Sequence, residues 1–500
     1  MASVPKLLLL LSLLFFLSYL SHIAHAGDDG SYKYKVLSIG SQSLRTNKSV
    51  VCSESKAPAV RFRSPSGAAT VPLHHRHGPC SPLPTKKMPT LEERLHRDKL
   101  RAAYIHRKLS RGKKQGGGGA GGDVVVQQSH AMTVPTTLGT SLDTLEYVIT
   151  VRLGSPPGKS QTMLIDTGSD ISWVRCKPCW QQCRPQVDPL FDPSLSSTYS
   201  PFSCSSAACA QLFQEGNANG CSSSGQCQYI AMYGDGSVGT TGTYSSDTLA
   251  LGSNSNTVVV SKFRFGCSHA ETGITGLTAG LMGLGGGAQS LVSQTAGTFG
   301  TTAFSYCLPP TPSSSGFLTL GAAGTSSAGF VKTPMLRSSQ VPAFYGVRLE
   351  AIRVGGRQLS IPTTVFSAGM IMDSGTVVTR LPPTAYSSLS SAFKAGMKQY
   401  PPAPSSAGGG FLDTCFDMSG QSSVSMPTVA LVFSGAGGAV VNLDASGILL
   451  QMETSSIFCL AFVATSDDGS TGIIGNVQQR TFQVLYDVAG GAVGFKAGAC

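Results

Sequence analysis

Short apolar runs bounded by turn residues predict β-strands along most of the chain. Residues 147–151 (YVITV) alternate and lead into a predicted turn at 154–157 (GSPP), and residues 161–165 (QTMLI) form the next predicted strand. A helical pattern covers Leu91 to Lys114, where the apolar positions near helical spacing are Leu91, Leu95, Leu100, Tyr104 and Ile105. We therefore expect a mostly β protein with one long helix towards its N-terminus.

The strand at 161–165 ends in a motif that occurs twice. Residues 166–169 (DTGS) follow this strand, and residues 373–376 (DSGT) follow the apolar run 369–372. An apolar-apolar-Gly phrase comes after each motif, at 280–284 (GLMGL) and at 472–476 (GIIGN). A single Asp-Ser/Thr-Gly tripeptide is usually a turn. Two copies in the same context indicate an internal repeat of two lobes and not a solenoid.

Packing two such lobes about a pseudo-twofold axis brings the motif carboxylates together. Like charges at close range resist double ionisation, so the pair holds one proton over a range of acidic pH. One carboxylate can then accept a proton from a shared water while the other donates to a peptide carbonyl. We predict that the pair hydrolyses peptide bonds without a covalent intermediate. The predicted catalytic residues are Asp166 and Asp373, supported by Thr167, Gly168, Ser169, Ser374, Gly375 and Thr376. We expect the glycine N–H and the hydroxyl three residues after each aspartate to donate to its carboxylate. The hydroxyl of the serine in the second motif should preserve a hydrogen bond between the two loops.

The net charge of +11 is unevenly distributed. Residues 27–122 hold 19 Lys and Arg against 6 acidic residues, whereas residues 123–500 hold 17 against 20. The chain is therefore a basic arm attached to a mildly acidic body, and the body is not expected to bind nucleic acid. Charged residues are only 13% of the total, too few for a coiled coil or a helical repeat.

The first 26 residues predict a secretory signal peptide. Lys6 precedes an apolar run from Leu7 to Leu20, and the small residues Ala24 and Ala26 mark the expected cleavage site. The alternative is an N-terminal membrane anchor, but the run is short for a bilayer. We expect a soluble product of the secretory pathway without a membrane anchor, extracellular or apoplastic, with the vacuole or the chloroplast as alternatives.

Fourteen cysteines suit an oxidising compartment. Cys52 and Cys80 lie in the arm and twelve lie in the body, so each part holds an even number. The cluster Cys176, Cys179 and Cys183 could suggest a metal site, but no histidine is nearby in the sequence, and we predict disulfides. The histidines at 74, 75 and 77 are interpreted as a solvated loop in preference to a metal site. We expect no metal and no cofactor.

With these motifs, the chain resembles the pepsin-like aspartic endopeptidases and, more closely, their plant nepenthesin-like branch. The resemblance runs from about Glu146 to Cys500 and implies a bilobal fold with the cleft between two β lobes. Trp173 stands seven residues after Asp166, where the family has a tryptophan that supports the flap tyrosine. Tyr233 and Gly234 lie in a phrase (IAMYGDGS) that resembles the substrate-covering flap, although it is also an ordinary hairpin tip.

Spacing and the family resemblance together suggest six disulfides, which the sequence alone does not fix. The suggested pairs are Cys176–Cys179, Cys183–Cys267, Cys204–Cys227, Cys209–Cys221, Cys307–Cys500 and Cys415–Cys459.

The predicted organisation is a signal peptide at 1–26, a basic prosegment with a glycine-rich linker at 27–130, and lobes at 131–330 and 331–500. The prosegment is expected to inhibit the cleft and to leave in acid, because cleft carboxylates lose charge there. Asn47, in the sequon Asn47-Lys48-Ser49, is the predicted glycosylation site. We expect a monomer that acts on protein or peptide substrates.

Two other functions stay open. A catalytically dead relative could bind glycosidases, as plant xylanase inhibitors of this fold do, but those typically lose part of the aspartate pair. The phrase at 75–82 (HRHGPCSP) resembles prosegments of plant members related to a chloroplast nucleoid protease reported to bind DNA. The basic stretch from Arg94 to Lys114 could then contact phosphates nonspecifically.

Overall fold

A computed structural model describes residues 32–38, 68–83, 89–115, 146–180, 185–233, 238–252, 257–274, 276–309, 311, 313–321, 329–435, 438–452 and 455–500. The predicted signal peptide, the sequon at Asn47, the glycine-rich linker, Cys183 and Gly234 lie outside these residues.

Strands dominate the described chain. In order they are β1 Tyr34–Ser38, β2 Ala69–His75, β3 Tyr147–Leu153, β4 Lys159–Asp166, β5 Trp173–Arg175, β6 Ser200–Pro201, β7 Ala218–Cys221, β8 Cys227–Tyr233, β9 Val238–Leu251, β10 Val258–Thr272, β11 Gly280–Gly283, β12 Ala303–Cys307, β13 Ser315–Leu320 and β14 Val331–Pro334. They continue as β15 Tyr345–Val347, β16 Leu349–Val354, β17 Arg357–Gln358, β18 Met370–Met372, β19 Thr379–Leu381, β20 Cys415–Asp417, β21 Ser423–Pro427, β22 Val429–Phe433, β23 Ala439–Asn442, β24 Leu449–Gln451, β25 Ile457–Leu460, β26 Phe462–Ala464, β27 Gly472–Ile474, β28 Phe482–Asp487 and β29 Ala492–Ala497.

Helices are few and mostly short. The α-helices are α1 Leu91–Gln115, α2 Ala207–Gln214, α3 Leu291–Gln294, α4 Ala296–Phe299, α5 Pro383–Gly396 and α6 Asn476–Gln479. Single 3₁₀ turns span Pro193–Leu195, Thr363–Phe366, Ser405–Gly408 and Ala445–Gly447. Among the described residues, no helix is long and apolar enough to cross a membrane.

The long helix α1 begins where its sequence provides a capping box. The backbone N–H of Glu93 donates to Thr90 Oγ1 at 3.1 Å, and the N–H of Thr90 donates back to Glu93 Oε2 at 2.8 Å. Glu92 and Glu93 also suit the positive end of the helix dipole. The predicted helix at 91–114 is confirmed.

The two lobes repeat the same strand arrangement, as the repeated motif predicts. In the first lobe (β3–β11), β4 leads to Asp166 and pairs in parallel with β11, with Ile165 opposite Met282. In the second lobe (β15–β27), β18 leads to Asp373 and pairs in parallel with β27, with Ile371 opposite Ile473. The apolar-apolar-Gly phrases are therefore the neighbours of the aspartate strands.

A single sheet of 15 strands joins the two lobes. Its order is β14-β29-β28-β12-β13-β2-β3-β4-β11-β5-β10-β9-β8-β7, and β6 pairs with β9. Stacked rings pack beneath the joining strands: Phe304 on β12 and Tyr486 on β28 lie parallel with centroids 4.5 Å apart, and Tyr345 lies 4.8 Å from Tyr486. The aromatic contact contributes to the buried core between the lobes.

The arm is built into this fold at three places. Its strand β2 lies between β13 and β3, antiparallel to both, so it supplies an internal strand of the large sheet. Its strand β1 pairs with β21 of the second lobe. Its helix α1 packs against residues of the second lobe, among them Phe344, Ile371 and Ile473.

The arm histidines are not a solvated loop, so that interpretation was wrong. His74 and His75 lie on β2, and His75 is buried with 3% of its surface exposed. The alternating burial of Ala69, Val71 and Leu73 shows that β2 turns one face into the core. This pattern was the signal for a strand that the sequence interpretation missed.

Two of the suggested disulfides are confirmed and the other suggested pairings are wrong. Cys307–Cys500 and Cys415–Cys459 are present. Cys176 pairs with Cys267, and not with Cys179, because β5 runs parallel to β10 with Val174 opposite Cys267. This bond also excludes the suggested Cys183–Cys267. Cys179 is itself disulfide-bonded.

The hairpin cysteines exchange their suggested partners. The observed bonds are Cys204–Cys221 and Cys209–Cys227, not Cys204–Cys227 and Cys209–Cys221. Cys209 is fully buried on α2 and faces Cys227 at the start of β8, with 5.8 Å between Cα atoms. Cys221 and Cys227 are opposite one another on β7 and β8, so the four residues are close in space, and sequence spacing does not determine which of them pair.

Candidate active site

The two motif aspartates lie at equivalent strand ends of the two lobes. Asp166 is the last residue of β4 and Asp373 directly follows β18. Both side chains are buried, with 1% and 0% of their surface exposed. The structure therefore brings together the two carboxylates that the sequence predicted as a pair.

Each carboxylate accepts the hydrogen bonds that its motif predicts. The N–H of Gly168 donates to Asp166 Oδ1 at 2.9 Å, and Ser169 Oγ donates to Asp166 Oδ2 at 2.7 Å. Thr376 Oγ1 donates to Asp373 Oδ2 at 2.6 Å. These donors fix the orientation of both carboxylates, and hydrogen bonds to an ionised acid are strong.

The hydroxyl residues after the aspartates link the two lobes. Thr167 donates to Ser374 Oγ from its backbone N–H and from its own hydroxyl, each at 3.3 Å. The N–H of Ser374 donates to Thr167 Oγ1 at 2.9 Å. Serine in the second motif therefore maintains the cross-lobe hydrogen bond, as its hydroxyl predicted.

The predicted flap support is also present. Trp173 on β5 donates from Nε1 to the hydroxyl of Tyr233 at 2.9 Å. Tyr233 ends β8, which forms a hairpin with β9, and only 3% of its surface is exposed. The bond orients the tyrosine from the first lobe, whatever the role of the hairpin.

A residue that the sequence interpretation did not single out lies between the aspartates. Arg101, on α1 of the arm, donates from Nη2 to Asp166 Oδ1 at 2.5 Å and to Asp373 Oδ1 at 2.6 Å. Its Nε donates to Asp373 Oδ2 at 2.7 Å. One guanidinium thus bridges both carboxylates, and all three side chains are buried.

Glycine in both motifs makes room for this guanidinium. A Cβ at Gly168 would stand 2.7 Å from Arg101 Nη2 and 3.0 Å from Asp373 Oδ1. A Cβ at Gly375 would collide with the Arg101 guanidinium. The same open space is what allows any other hydrogen-bonding group to reach the carboxylates from the cleft.

Arg101 changes the acidity of the site. Burial raises the pKa of Asp373, but the charge and hydrogen bonds of Arg101 outweigh burial and hold that pKa below its ordinary value. Burial disfavours the charged guanidinium, yet the two aspartates raise the pKa of Arg101 well above its ordinary value. Asp373 and Arg101 are therefore charged while the arm is docked.

Neighbouring residues of α1 continue the contact into the second lobe. Asp98 accepts from Arg380 Nη2 at 2.7 Å and from the backbone N–H of Val377. Burial raises the pKa of Asp98, and Arg380 opposes the shift. One and two turns further along, Ala102 and Ile105 pack with Phe344, Ile371 and Ile473.

A second buried group of charges ties the arm to the start of the first lobe. Arg94 of α1 forms an ion pair with Glu146, and Glu146 Oε2 lies 3.9 Å from His75 Nε2. The backbone N–H of His77 donates to His75 Nδ1 at 3.2 Å, and the His75 ring packs edge-on against Tyr147. Burial lowers the pKa of His75 to about 3, with smaller effects from Glu146, Arg94, His77 and Arg480.

The sequence signal for these contacts was available only in part. The buried positions of α1 are Leu91, Leu95, Asp98, Arg101, Ala102 and Ile105, which lie at helical spacing. Leu91, Leu95 and Ile105 were recognised and Ala102 was not. An aspartate and an arginine on the inner face contradict ordinary helix patterning. Two charged residues on the buried face of a helix indicate that each has a partner on the body.

No metal site accompanies this arrangement in the part of the chain that the structure describes. No group of three or more His, Cys, Asp or Glu residues there is placed to hold an ion. The chemical groups of the site are two oriented carboxylates and the donors around them.

Comparison with known proteins identifies the family. Family models described as xylanase inhibitor N-terminal and xylanase inhibitor C-terminal match residues 147–322 and 344–497. An aspartyl protease family protein of Arabidopsis thaliana is 42% identical over 457 residues, which cover 90% of this chain and 92% of that protein. The chain belongs to the plant aspartyl protease family.

Other members of the aspartyl protease family agree with this assignment. Nepenthesin-2 of Nepenthes gracilis is 36% identical over 406 residues, covering 79% of this chain and 86% of that protein. The nepenthesin-like resemblance is thus confirmed. The solved structure of soybean basic 7S globulin, at 22% identity, gives a TM-score of 0.56 over 71% of this chain and 92% of that chain, which supports the bilobal β fold alone.

The cross-lobe hydrogen bonds predict a cost for losing the Ser374 hydroxyl. Ser374→Ala leaves the buried donors of Thr167 without their acceptor, so we expect the full-length protein to lose about 1–3 kcal/mol of unfolding free energy. Urea unfolding followed by fluorescence measures this. Ser374→Thr keeps a hydroxyl and is the matched control. Equal stability of Ser374→Ala and wild type would show that these bonds contribute nothing net.

Proposed function

We propose that this protein is a secreted aspartic endopeptidase, made as an inactive precursor and active at acidic pH. The observation that carries the proposal is the pair Asp166 and Asp373, complete with its motif donors, held by Arg101 of the arm. Membership of the aspartyl protease family and the disulfides of the body support it.

In the proposed reaction, Arg101 leaves and a water molecule takes its position between the carboxylates. The ionised aspartate removes a proton from this water, and the protonated one donates to the carbonyl oxygen of the substrate. The water oxygen attacks the carbonyl carbon, and collapse of the tetrahedral intermediate breaks the C–N bond as the amine gains a proton. Gly168, Ser169, Gly375 and Thr376 keep the carboxylates oriented throughout.

The docked arm blocks this reaction in two ways. The guanidinium uses the carboxylate oxygens that must bind water, and it favours the charged form of Asp373, whereas hydrolysis needs one shared proton. Ala102 and Ile105 of α1 also fill the apolar surface of Phe344, Ile371 and Ile473. Release of α1 opens this surface for the side chains of an extended peptide substrate, and its lining favours apolar residues.

The alternative function is a glycosidase inhibitor without catalysis. The matching family models are described as xylanase inhibitor domains, and this is the observation in favour of the alternative. Against it, both aspartates stand in complete motifs with every donor present. An inhibitor does not require this hydrogen-bonding pattern, whereas hydrolysis does.

The roles of the two aspartates predict that a single amide substitution stops cleavage. Asp166→Asn or Asp373→Asn removes one partner of the proton-sharing pair, so we expect the rate to fall by on the order of 10²–10⁴-fold or more. The measurement is cleavage of an unstructured protein from acidic to neutral pH, with and without pepstatin. If the folded, arm-free wild type does not cleave, the inhibitor alternative is favoured and glycosidase binding is the next assay.

The bridge made by Arg101 predicts that its charge holds the precursor closed. Arg101→Gln retains the helix but leaves two buried carboxylates without a cation, a change that typically costs about 3–5 kcal/mol. We expect the arm to be released at a higher pH and the precursor to cleave a peptide substrate before processing. Lys99→Gln, an exposed lysine of the same helix, is the control. Unchanged latency of Arg101→Gln would contradict the proposed inhibition.

His75 supplies a second reason for release in acid. Since burial lowers its pKa from 6.5 to about 3, the docked arm favours the neutral ring. This contribution to docking is complete above pH 6.5 and is lost progressively as the pH falls towards 3, on the order of 5 kcal/mol at the acid limit. Protonation of Nδ1 would also break the bond from the His77 N–H.

We therefore predict that His75→Gln delays release of the arm. Glutamine can accept the His77 N–H but does not gain a proton, so the pH midpoint of release should move to lower pH by about one unit. Gel analysis of the precursor across a pH series measures the midpoint. His96→Gln replaces an exposed histidine of α1 and should leave it unchanged. An identical midpoint for His75→Gln would assign acid release to the carboxylates alone.

A further inference from the structure

Strand β1 of the arm occupies an edge of the second lobe that is separate from the cleft contacts. It pairs antiparallel with β21 from Tyr34 opposite Pro427 to Ser38 opposite Ser423. The pairing continues past the strand, where the N–H of Thr428 donates to Lys33 O at 3.0 Å and the N–H of Lys33 donates to Gly355 O at 2.8 Å. Among the described strands, β21 has no partner other than β1.

A slot beside this edge receives one tyrosine. The ring of Tyr32 lies against Gly355 and Gly396, where a Cβ on Gly355 would stand 2.5 Å from ring atoms. Its hydroxyl donates to Ala392 O at 3.1 Å, and the guanidinium of Arg357 lies 5.8 Å from the ring centroid. Two glycines and a backbone carbonyl thus form a site for a phenol ring.

Other side chains of the segment add selectivity. Lys35 donates from Nζ to Leu443 O at 2.7 Å, and Leu37 packs against the hydrophobic core. Tyr34 and Val36 point outward, with 47% and 69% of their surface exposed. The bound pattern is therefore an aromatic residue, a basic residue three positions later and an aliphatic residue two positions after that.

The body holds β21 in place without help from β1. Both backbone groups of Ser425 bond to the body: its N–H donates to Tyr400 Oη at 2.8 Å, and its carbonyl accepts from Gln399 Nε2 at 3.1 Å. Val424 and Met426 are fully buried. Because the two hydrogen bonds of Ser425 do not involve β1, we expect the backbone groups that face β1 to stay ordered as an open edge when β1 is absent.

This edge has none of the charged residues that usually protect an open strand. Its sequence is Ser-Val-Ser-Met-Pro, with proline only at the end, so an open β21 is a template for pairing with another extended chain. In the precursor the arm covers it. Residues 32–38 contact the body through backbone groups, the Tyr32 hydroxyl, the Lys35 ammonium and apolar side chains, and Lys35 also interacts electrostatically with the Asp444 carboxylate.

We propose that β21 and the Tyr32 slot, here called the β21 groove, form a docking site for an extended segment of another polypeptide once the arm is removed. The segment carries the pattern aromatic-x-x-basic-x-aliphatic and adds to β21 as an antiparallel strand. The proposal rests on the removal of the arm proposed above. After cleavage the short strand β1 loses the effective concentration that its tether provides and leaves the groove to partners.

The test uses the full-length chain and a fluorescent peptide of residues 31–39. In wild type the chain's own β1 fills the groove, whereas Tyr32→Ala removes its anchor. We expect saturable anisotropy binding to Tyr32→Ala that is at least tenfold tighter than binding to wild type. A peptide with alanine at the Tyr32 position should bind at least tenfold more weakly. Equal binding of the two peptides would overturn the proposal.

A paired substitution on the body tests the slot itself. Gly355 has φ +60°, which asparagine tolerates, and an asparagine side chain there fills the position of the Tyr32 ring. Tyr32→Ala with Gly355→Asn should lose peptide binding. Gly420→Asn is the matched control, since Gly420 has φ +76° with nothing within 4 Å of a Cβ. Retained binding with Gly355→Asn would contradict the proposal that the slot beside Gly355 holds the aromatic ring.

Native mass spectrometry of acid-processed protein separates this proposal from the proposed function. We expect the processed body to carry no arm fragment and to bind the added peptide. A retained fragment containing residues 32–38, or a second copy of the chain held in the groove, would overturn the proposed partner. Failure of acid to remove the arm would instead count against the precursor mechanism, while the Tyr32→Ala binding measurement would still decide the groove.

Discussion

The guanidinium of Arg101 donates hydrogen bonds to Asp166 and Asp373 at a point where water is excluded from all three side chains. Two buried carboxylates at one site are costly unless they share a proton or bind a cation. The arm supplies the cation. Packing of the lobes therefore places both acids at one site, and docking of α1 supplies the positive charge that compensates them while the arm is bound.

The arm is correspondingly a structural component of the fold and not a loose tail. Its strand β2 is internal to the large sheet, between β13 and β3, so removing it exposes the backbone groups of two body strands. Glu146, directly before β3, is paired by Arg94 of the arm. If the arm is removed, the backbone groups of β13 and β3 either lose their hydrogen-bond partners or pair with another extended segment.

Much of this was predictable because chemistry imposes a repeat. Two carboxylates at equivalent strand ends require two copies of the same local sequence. The hydrogen bonds made by residues 167–169 and 374–376 could be predicted from that repeat. Arg101 was not predictable in the same way, because net charge predicts attraction and does not identify which of many basic residues reaches the pair. The pairing of the hairpin cysteines could not be predicted for a similar reason. Four of them lie within one small region, and their pairing depends on how α2 packs on β8.

The arm's contacts differ in how they respond to acid, and this difference sets an order of events. The contacts of Arg101 and Arg94 require ionised carboxylates, and the buried position of His75 requires a neutral ring. Protonation is therefore expected to weaken the contacts of α1 and of β2 over the same acidic range. Strand β1 depends mainly on backbone pairing and on the Tyr32 slot, which protons do not change, with one electrostatic contribution between Lys35 and Asp444. In the proposed mechanism, acid therefore opens the cleft first. In the same proposal, the β21 edge opens only after the chain is cut, because the tether then no longer holds β1 near it. An exposed pairing edge is then expected only on a protein whose active site is already free.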